Sequence, residues 1–323
     1  MSGTAHSEPG PSNSLRCRLA LPRGYRHRDL LNFHARDHQA LAEQVERQSL
    51  RKAMRWQGLA IELTLRFGRS SAQAVVSGPV TDADRPALRN MVKRMLGLDQ
   101  DIEAFEAKHA AHPELGPVIR HNTGLRIPQT PTAFEALSWA IIGQQISLSA
   151  AVSIRRRLIA HCALLHPCGL HCFPDAGNLA GLSPQTLAQL GFSQAKAHTL
   201  LNLSRDIDNN VLGLEPDGHF DPERLTTQLL AYKGIGPWTV NYTLLRGFGH
   251  LDGSLHGDVA VRRQLQRLRG SATPPRSSAL ADWLDHFRPW RALAAAHLWA
   301  ARIPPTDTPS IPDPKAAGSA DAG

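Results

Sequence analysis

The sequence predicts an α+β fold in two parts, a small N-terminal antiparallel sheet domain with helices followed by a mainly α-helical domain. Apolar side chains alternate with other residues in Leu59–Phe67, and a period of two is typical of a strand with one buried face. From about Ile102 almost to Ile303 apolar residues instead recur at helical spacing, between proline-rich breaks. A run of strands followed by a run of helices indicates an α+β protein.

The N-terminal part is predicted to hold three strands and two helices. Besides 59–67, we expect strands at 15–21 and 71–76, and helices at 29–38 and 81–96. Nothing in this part looks catalytic, so we expect it to be a scaffold. The predicted boundaries are a disordered tail at 1–13, the N-terminal domain at 14–112, the helical domain at 113–303 and a second disordered tail at 304–323.

Charge and hydropathy indicate which partner and which compartment to expect. Lys and Arg number 36 against 28 Asp and Glu, a formal charge of +8 with a pI near 9.8, and a basic balance suits a nucleic-acid partner. The N-terminus lacks the apolar core of a signal peptide, and no apolar run approaches the length of a membrane span. We therefore expect a cytoplasmic protein without a membrane partner.

The four cysteines are too few for a disulfide scaffold in a chain of this length. Cys162, Cys168 and Cys172 lie close together among histidines. Their spacing contains no C-x-x-C and matches no common zinc pattern. We therefore expect no metal here, only a helix end and a loop that carry cysteine and histidine.

A glycine hairpin between two predicted helices is the first candidate site. Gly234 and Gly236 are expected to take positive φ, and Pro237 suits the first position of the second helix. The amides at such a turn form a site for a phosphate, with the cation of Lys233 beside it. The alternative is a helix C-cap glycine followed by an ordinary second helix.

Asp258 is the second candidate. It ends the polar loop 251–258 and comes directly before a predicted helix. One interpretation is an ordinary helix N-cap, which is among the commonest uses of aspartate. The other is a functional carboxylate held at a fixed distance after a phosphate-binding hairpin.

The helix after Pro131 runs into a polar corner made of Gln144, Gln145 and Ile146. Ser147 is expected to cap the next helix, in which Arg155, Arg156 and Arg157 are expected to be at least partly solvated. The corner is either a plain connector or a wedge. An enzyme that extracts a base from duplex DNA must fill the vacated stack, and a protruding amide or apolar side chain can do so.

Five segments, taken in order, resemble the alkylbase DNA glycosylases of the DNA-3-methyladenine glycosylase II type, which belong to the helix-hairpin-helix, Gly/Pro-Asp superfamily. These segments are FEALSWAIIGQQISLSAA, CFPDAGNLAGLSPQTLAQLGFSQAKAHTLLNLSRDI, LLAYKGIGPWTVNYTLLRGFG, LHGDVAVRRQL and FRPWRALAAAHLWAARI. The resemblance covers about residues 15–303. It implies a helix-hairpin-helix glycosylase domain of two lobes after a non-catalytic N-terminal domain.

The resemblance also implies roles for single residues. Asp258 matches the catalytic aspartate, and Gln145 falls at the wedge position, where the family has an apolar residue. We therefore divide the wedge between Gln145 and Ile146. Aromatic residues that match the family's base pocket, each with an alternative as ordinary core, are Trp238, Tyr242 and Trp299. The DNA-binding hairpin comprises Lys233, Gly234, Ile235 and Gly236.

Members of the superfamily that also cut the strand place a lysine where this chain has Trp238, so the resemblance implies a monofunctional enzyme without a Schiff-base step. The implied reaction is hydrolysis of the N-glycosidic bond of alkylated purines such as 3-methyladenine and 7-methylguanine, flipped out of the duplex, which leaves an abasic site. The expected partner is double-stranded DNA with alkylated bases, bound by a monomer in the bacterial cytoplasm at the nucleoid. No cofactor is expected apart from a possible sodium or potassium ion at the hairpin.

Two alternative functions remain open. One is a non-catalytic helix-hairpin-helix DNA-binding protein that has kept the fold and lost the pocket. The other is a mismatch or oxidised-base glycosylase of the same superfamily, against which the missing lysine and the missing C-terminal cysteine cluster argue.

Overall fold

A computed structural model describes residues 13–214 and 220–301. The tails predicted at 1–13 and 304–323 lie outside the described residues, except for Asn13, which begins a strand. The predicted fold class is confirmed, because an antiparallel sheet comes first and helices make up the rest. The exact boundary between the two predicted domains stays a prediction. None of the described helices is long and apolar enough to cross a membrane.

The N-terminal sheet has five strands in the order β1-β5-β4-β3-β2, all antiparallel. Their bounds are β1 Asn13–Ala20, β2 Glu43–Val45, β3 Ser49–Trp56, β4 Leu59–Phe67 and β5 Ser71–Gly78. The strands predicted at 15–21, 59–67 and 71–76 are confirmed as β1, β4 and β5. Strands β2 and β3 were not predicted.

One face of this sheet is covered by two helices. Helix α1 spans His27–His34 and helix α2 spans Arg85–Met95, after a single 3-10 turn at Asp82–Asp84. Both follow the predictions, although α1 ends four residues earlier than expected. Leu30 of α1 and Met91 of α2 pack with Ile61, Leu63 and Leu65 of β4 in one core, which makes the sheet and these helices a single unit.

Helices make up the remainder of the described chain, in two lobes with separate cores. Their bounds are α3 Ile102–His109, α4 Gly116–His121, α5 Ala133–Gly143, α6 Leu148–Cys162, α7 Ala176–Ala180, α8 Pro184–Gln189, α9 Gln194–Asp208, α10 Pro222–Leu230, α11 Pro237–Thr243, α12 Val259–Arg269, α13 Ser277–Asp285 and α14 Arg291–Ala300. The core of the first lobe is formed mainly by α5 to α11. The core of the second lobe is formed by α3, α4 and α12 to α14.

A buried cluster of four charges joins the sheet to the first lobe. Lys52 on β3 is fully buried and contacts Glu43 on β2 and Glu135 on α5, the latter at 2.8 Å. Arg155 on α6 pairs with the same two carboxylates at 3.1 and 2.8 Å. The expectation that Arg155 is partly solvated is therefore wrong, because it points into the domain junction where two carboxylates offset its charge. Its neighbour Arg157 is exposed, as expected.

Candidate active site

The hairpin between α10 and α11 has the predicted arrangement of helix, glycine turn and helix. Gly234 has a φ of +90°, and a Cβ at this position would lie 2.5 Å from the hydroxyl of Thr199, so the position requires glycine on both counts. Gly236 differs from the prediction. Its φ of −110° is extended and it serves as the N-cap of α11, because a single left-handed residue is enough to reverse the chain here. Pro237 begins α11, as predicted.

One side chain from another helix and one from the turn itself hold this turn in place. The hydroxyl of Thr199 on α9 donates to the carbonyl of Lys233 at 2.8 Å, and Ile235 is buried in the core of the first lobe. The side chain of Lys233 and the backbone at Gly234 are exposed. The turn therefore presents its cation and its backbone to solvent from a fixed base.

The predicted wedge corner is fastened to the same hairpin. Gln144 donates from Nε2 to the carbonyl of Gly234 at 3.0 Å and to the hydroxyl of Thr239 at 2.8 Å. Lys196 on α9 donates to the carbonyls of Ile142 and Gln144 at 2.9 and 2.6 Å. The corner and the hairpin are consequently one rigid surface.

Beyond this base the corner projects outward. Gln145 is exposed and has a φ of +56°, a strained conformation for a residue with a Cβ. Ile146 is 38% exposed and Leu148, the first residue of α6, is 58% exposed. Ser147 caps α6 by accepting from the amide of Ala150, as predicted. Three side chains, of which two are apolar, thus protrude beside the hairpin.

Asp258 is the N-cap of α12, and it also accepts hydrogen bonds from two indole rings. Its Oδ1 accepts a hydrogen bond from the amide of Val261 at 2.9 Å, which makes it the N-cap of α12. The same oxygen accepts from the indole Nε1 of Trp299 at 3.2 Å, and Oδ2 accepts from the indole Nε1 of Trp238 at 2.9 Å. Three N–H groups thus stabilise and orient one carboxylate, which remains partly exposed.

The three predicted pocket aromatics come together around this carboxylate. The ring centroids of Trp238 and Tyr242, one turn apart on α11, are separated by 5.3 Å, and those of Tyr242 and Trp299 on α14 by 6.5 Å. Tyr242 is buried, whereas the two tryptophans are half-buried. The structure therefore places a carboxylate and three aromatic rings, from α11, α12 and α14, at the junction of the two lobes.

Arg246 and Phe33 extend this group and were not predicted. Arg246 lies one turn after Tyr242, and its guanidinium carbon is 5.6 Å from the ring centroid of Trp299 and 4.7 Å from that of Phe33 on α1. It donates to the carbonyl of Pro128 at 2.8 Å, and burial lowers its pKa to about 10. The spacing of four from Tyr242 was a usable signal for Arg246. Phe33 had no local signal, because it lies in the part expected to be only a scaffold.

The chain is similar to known DNA repair proteins in sequence and in fold. Residues 138–286 match the family model described as HhH-GPD superfamily base excision DNA repair protein, and residues 16–131 match the AlkA N-terminal domain. A solved structure, the 3-methyladenine DNA-glycosylase from Archaeoglobus fulgidus, is 19% identical with a TM-score of 0.73 over 87% of this chain and 96% of that one, which shows a common fold.

Two curated relatives are similar in sequence. One is a probable bifunctional transcriptional activator/DNA repair enzyme AlkA of Mycobacterium tuberculosis, 33% identical over 64% of this chain and 41% of that protein. The other is DNA-3-methyladenine glycosylase 2 of Escherichia coli, 32% identical over 57% of this chain and 63% of that protein. The matches therefore span less than two thirds of either relative. The two family models leave only residues 132–137 between them: residues 138–286 match the HhH-GPD superfamily of base excision DNA repair proteins, and residues 16–131 match an AlkA N-terminal domain in front of it.

Proposed function

We propose that this protein is a monofunctional DNA glycosylase that hydrolyses the N-glycosidic bond of alkylated purines flipped out of duplex DNA and leaves an abasic site. The observation that carries the proposal is the carboxylate of Asp258, which accepts hydrogen bonds from two indole rings of an aromatic group. The names of the relatives, 3-methyladenine glycosylases among them, support the substrate class.

The proposed chemistry follows from the aromatic rings and from the carboxylate. Alkylation at N3 or N7 gives a purine a positive charge, so the base is a good leaving group and is attracted to the faces of the electron-rich rings of Trp238, Tyr242 and Trp299. As the glycosidic bond lengthens, positive charge develops on the deoxyribose. The carboxylate of Asp258 stabilises that charge and orients or deprotonates the attacking water.

Trp238 is the reason to expect hydrolysis without strand cutting. It stands where strand-cutting relatives of the superfamily carry a lysine, and its indole donates to Asp258. An indole nitrogen cannot form a Schiff base with the sugar. The abasic strand should therefore remain intact.

DNA binding is assigned to the surface made by the hairpin and the wedge corner. Lys233, Gly234, Ile235 and Gly236 would bind a backbone phosphate, while Gln145 and Ile146 would fill the gap left by the flipped base. Exposure of Gln145 and Ile146 supports this assignment. The formal charge of +8 suits a polyanionic partner.

A sodium or potassium ion at the hairpin is part of the proposal. Each of the carbonyls of Lys233 and Gly234 accepts one side-chain hydrogen bond, so each keeps a second lone pair, and carbonyl oxygen suits a hard cation. Such an ion would strengthen the attraction for a phosphate. We propose that the protein acts as a monomer, without a further cofactor, on nucleoid DNA in the bacterial cytoplasm.

The free bases released from DNA test this function. The full-length protein is incubated with methylated, oxidised and mismatched duplexes, and the released bases and the strand ends are analysed separately. We expect 3-methyladenine and 7-methylguanine from methylated DNA and no cut strand before alkali. Release only from oxidised or mismatched duplexes would favour the related glycosylase class, and binding without release from any duplex would favour a non-catalytic DNA-binding protein.

A further inference from the structure

The segment 161–172, in which half of the residues are cysteine or histidine, is not used by the proposed function. It begins in the last turn of α6 and packs against the N-terminal sheet domain. The amide of His171 donates to the carbonyl of Leu41 at 2.9 Å, and the amide of Arg55 on β3 donates to the carbonyl of Phe173 at 3.2 Å. The segment therefore joins the helical lobe to the sheet.

Three potential metal ligands converge at this junction. Glu62 on β4, His166 and Cys168 each offer one ligand atom, and these atoms all lie within 4.8 Å of one another. His166 is 6% exposed and the side chain of Glu62 is 13% exposed. Cys168 is half-buried, so the group is partly enclosed, and it draws on both parts of the molecule.

Hydrogen bonds already orient two of the three groups. The Nδ1 of His166 accepts from the amide of Cys168 at 3.2 Å. This bond holds the imidazole ring against the backbone of Cys168 and leaves the proton of the neutral ring on Nε2.

The carboxylate of Glu62 also keeps one oxygen for a further partner. Arg51 donates from Nε to Oε1 at 2.7 Å, and Thr64 donates to the same oxygen at 3.4 Å. In the described part of the chain no hydrogen bond is assigned to Oε2. The guanidinium of Arg51 fixes the carboxylate and at the same time opposes a second cation, which limits the affinity of the site.

Sulfur, imidazole nitrogen and carboxylate oxygen together form a donor set that suits zinc. Zinc lies ~2.0 to 2.3 Å from such ligands in a tetrahedron, so ligand atoms lie roughly 3.5 Å apart and those of this group would move inward by about 1 Å or less. We propose that Glu62, His166 and Cys168 bind a zinc ion, with water as the fourth ligand. A metal on Nδ1 replaces the hydrogen bond from the Cys168 amide.

Such an ion would cross-link the sheet to the loop after α6 and so stabilise the docking of the two domains. The cysteine and histidine spacing predicted no metal, because the third ligand comes from a strand distant in sequence. This inference is independent of base release, which takes place at Asp258.

Cobalt(II), a spectroscopic substitute for zinc, provides the test. The full-length protein is treated with a chelator and titrated with cobalt, while the thiolate-to-cobalt charge-transfer absorption is recorded. We expect one equivalent to bind. The variants Cys168→Ser and Glu62→Gln should bind about tenfold or more weakly, Arg51→Gln should bind more tightly, and the matched control Cys162→Ser should bind as the unaltered protein does.

Zinc should also raise the melting temperature of the unaltered protein and leave that of Cys168→Ser unchanged. Circular dichroism of each variant in chelator verifies that it folds. The inference is overturned if no charge-transfer absorption develops at one equivalent, or if the absorption persists in Cys168→Ser. Base release should be equal in chelator and in zinc, so failure of the metal site would leave the glycosylase proposal intact.

Discussion

Asp258 caps a helix and accepts two indole hydrogen bonds, and these roles support each other. The bond to the amide of Val261 fixes the carboxylate on α12, and the bonds from Trp238 and Trp299 fix its plane. The common structural use of an aspartate and its proposed catalytic use are therefore the same geometry. This explains why the sequence left the two interpretations open.

Trp299→Phe keeps an aromatic ring but removes the indole N–H that donates to Asp258. A hydrogen bond to a charged group contributes about 1.5 to 3 kcal/mol, so we expect kcat for base release to fall about tenfold or more, with little change in KM. Single-turnover and steady-state assays on methylated DNA measure this. Trp283→Phe is the control, because Trp283 donates to a different carboxylate, that of Glu114. An equal loss in both variants would contradict a specific role for Trp299.

His297 makes stability depend on pH. It is fully buried against Phe105, and burial lowers its pKa from 6.5 to about 3. Below pH 6.5 the unfolded chain takes up a proton that the folded chain does not, so stability falls with pH until about pH 3. At pH 5 the resulting loss in the free energy of unfolding is about 2 kcal/mol. Urea unfolding at pH 7 and at pH 5 measures this. Between the two pH values, the free energy of unfolding should fall by less in His297→Leu than in the unaltered protein.

The exposed His198 is the control for that comparison. His198→Ala should show the same change between the two pH values as the unaltered protein. The prediction fails if the stability of His297→Leu also changes between pH 7 and pH 5 by as much as that of the unaltered protein.

At the scale of elements, the wedge corner depends on its attachment to the hairpin. Gln144→Ala removes two hydrogen bonds, to Gly234 and Thr239, each of which contributes about 1 kcal/mol. We expect base release to slow by about tenfold or more, because a loose corner inserts less readily, while affinity for undamaged DNA changes little. A fluorescent base analogue beside the lesion reports flipping.

Gln266→Ala is the matched control for Gln144→Ala. Gln266 also donates two hydrogen bonds, in its case to the backbone carbonyls of Ser271 and Ala272 in the loop after α12. If the two glutamine variants flip and release the base equally, the bracing of the corner has no role in catalysis.

The elements that the sequence did not predict have physical reasons. Strand β3 contains Arg51, Lys52 and Arg55, so it lacks the alternation that identified β4. Lys52 is buried because carboxylates from β2 and α5 meet it, and that information is not local. In contrast, the caps at Ser147 and Asp258 depend on residues next to them in sequence, and they were predictable. The glycine turn was also predictable, except for the extended conformation of Gly236.

At the scale of the molecule, the buried charges of Lys52, Arg155, Glu43 and Glu135 hold the sheet on the helices that flank the wedge corner. Lys52→Met leaves the two buried carboxylates with Arg155 and, at Glu43 only, the imidazole of His34. Removing one member of a buried ion pair costs about 3 to 5 kcal/mol. Urea unfolding should show a loss of that size.

Lys93→Met is the control for Lys52→Met, because the pair of Lys93 with Asp99 is exposed. An exposed pair contributes about 1 kcal/mol or less. Equal losses in the two variants would show that the buried cluster is not a main support of the domain junction.

The candidate site shows the same division between local and non-local information. Asp258 and the hairpin lie in one stretch of sequence and were singled out there from the residues alone. The pocket roles of Trp238, Tyr242 and Trp299 required the resemblance to a family. Phe33 of the sheet domain contacts Arg246 of the helical domain, and no pattern in the chain predicts that contact.

The central claim is that the Asp258 carboxylate performs the chemistry of base release. The most direct test measures release of 3-methyladenine from methylated duplex DNA by the unaltered protein and by Asp258→Asn, with DNA binding of both followed by fluorescence anisotropy. We expect a loss of release of about 100-fold or more in the variant, with binding retained. Base release by Asp258→Asn at the unaltered rate, with the variant folded and bound to DNA, would contradict the claim.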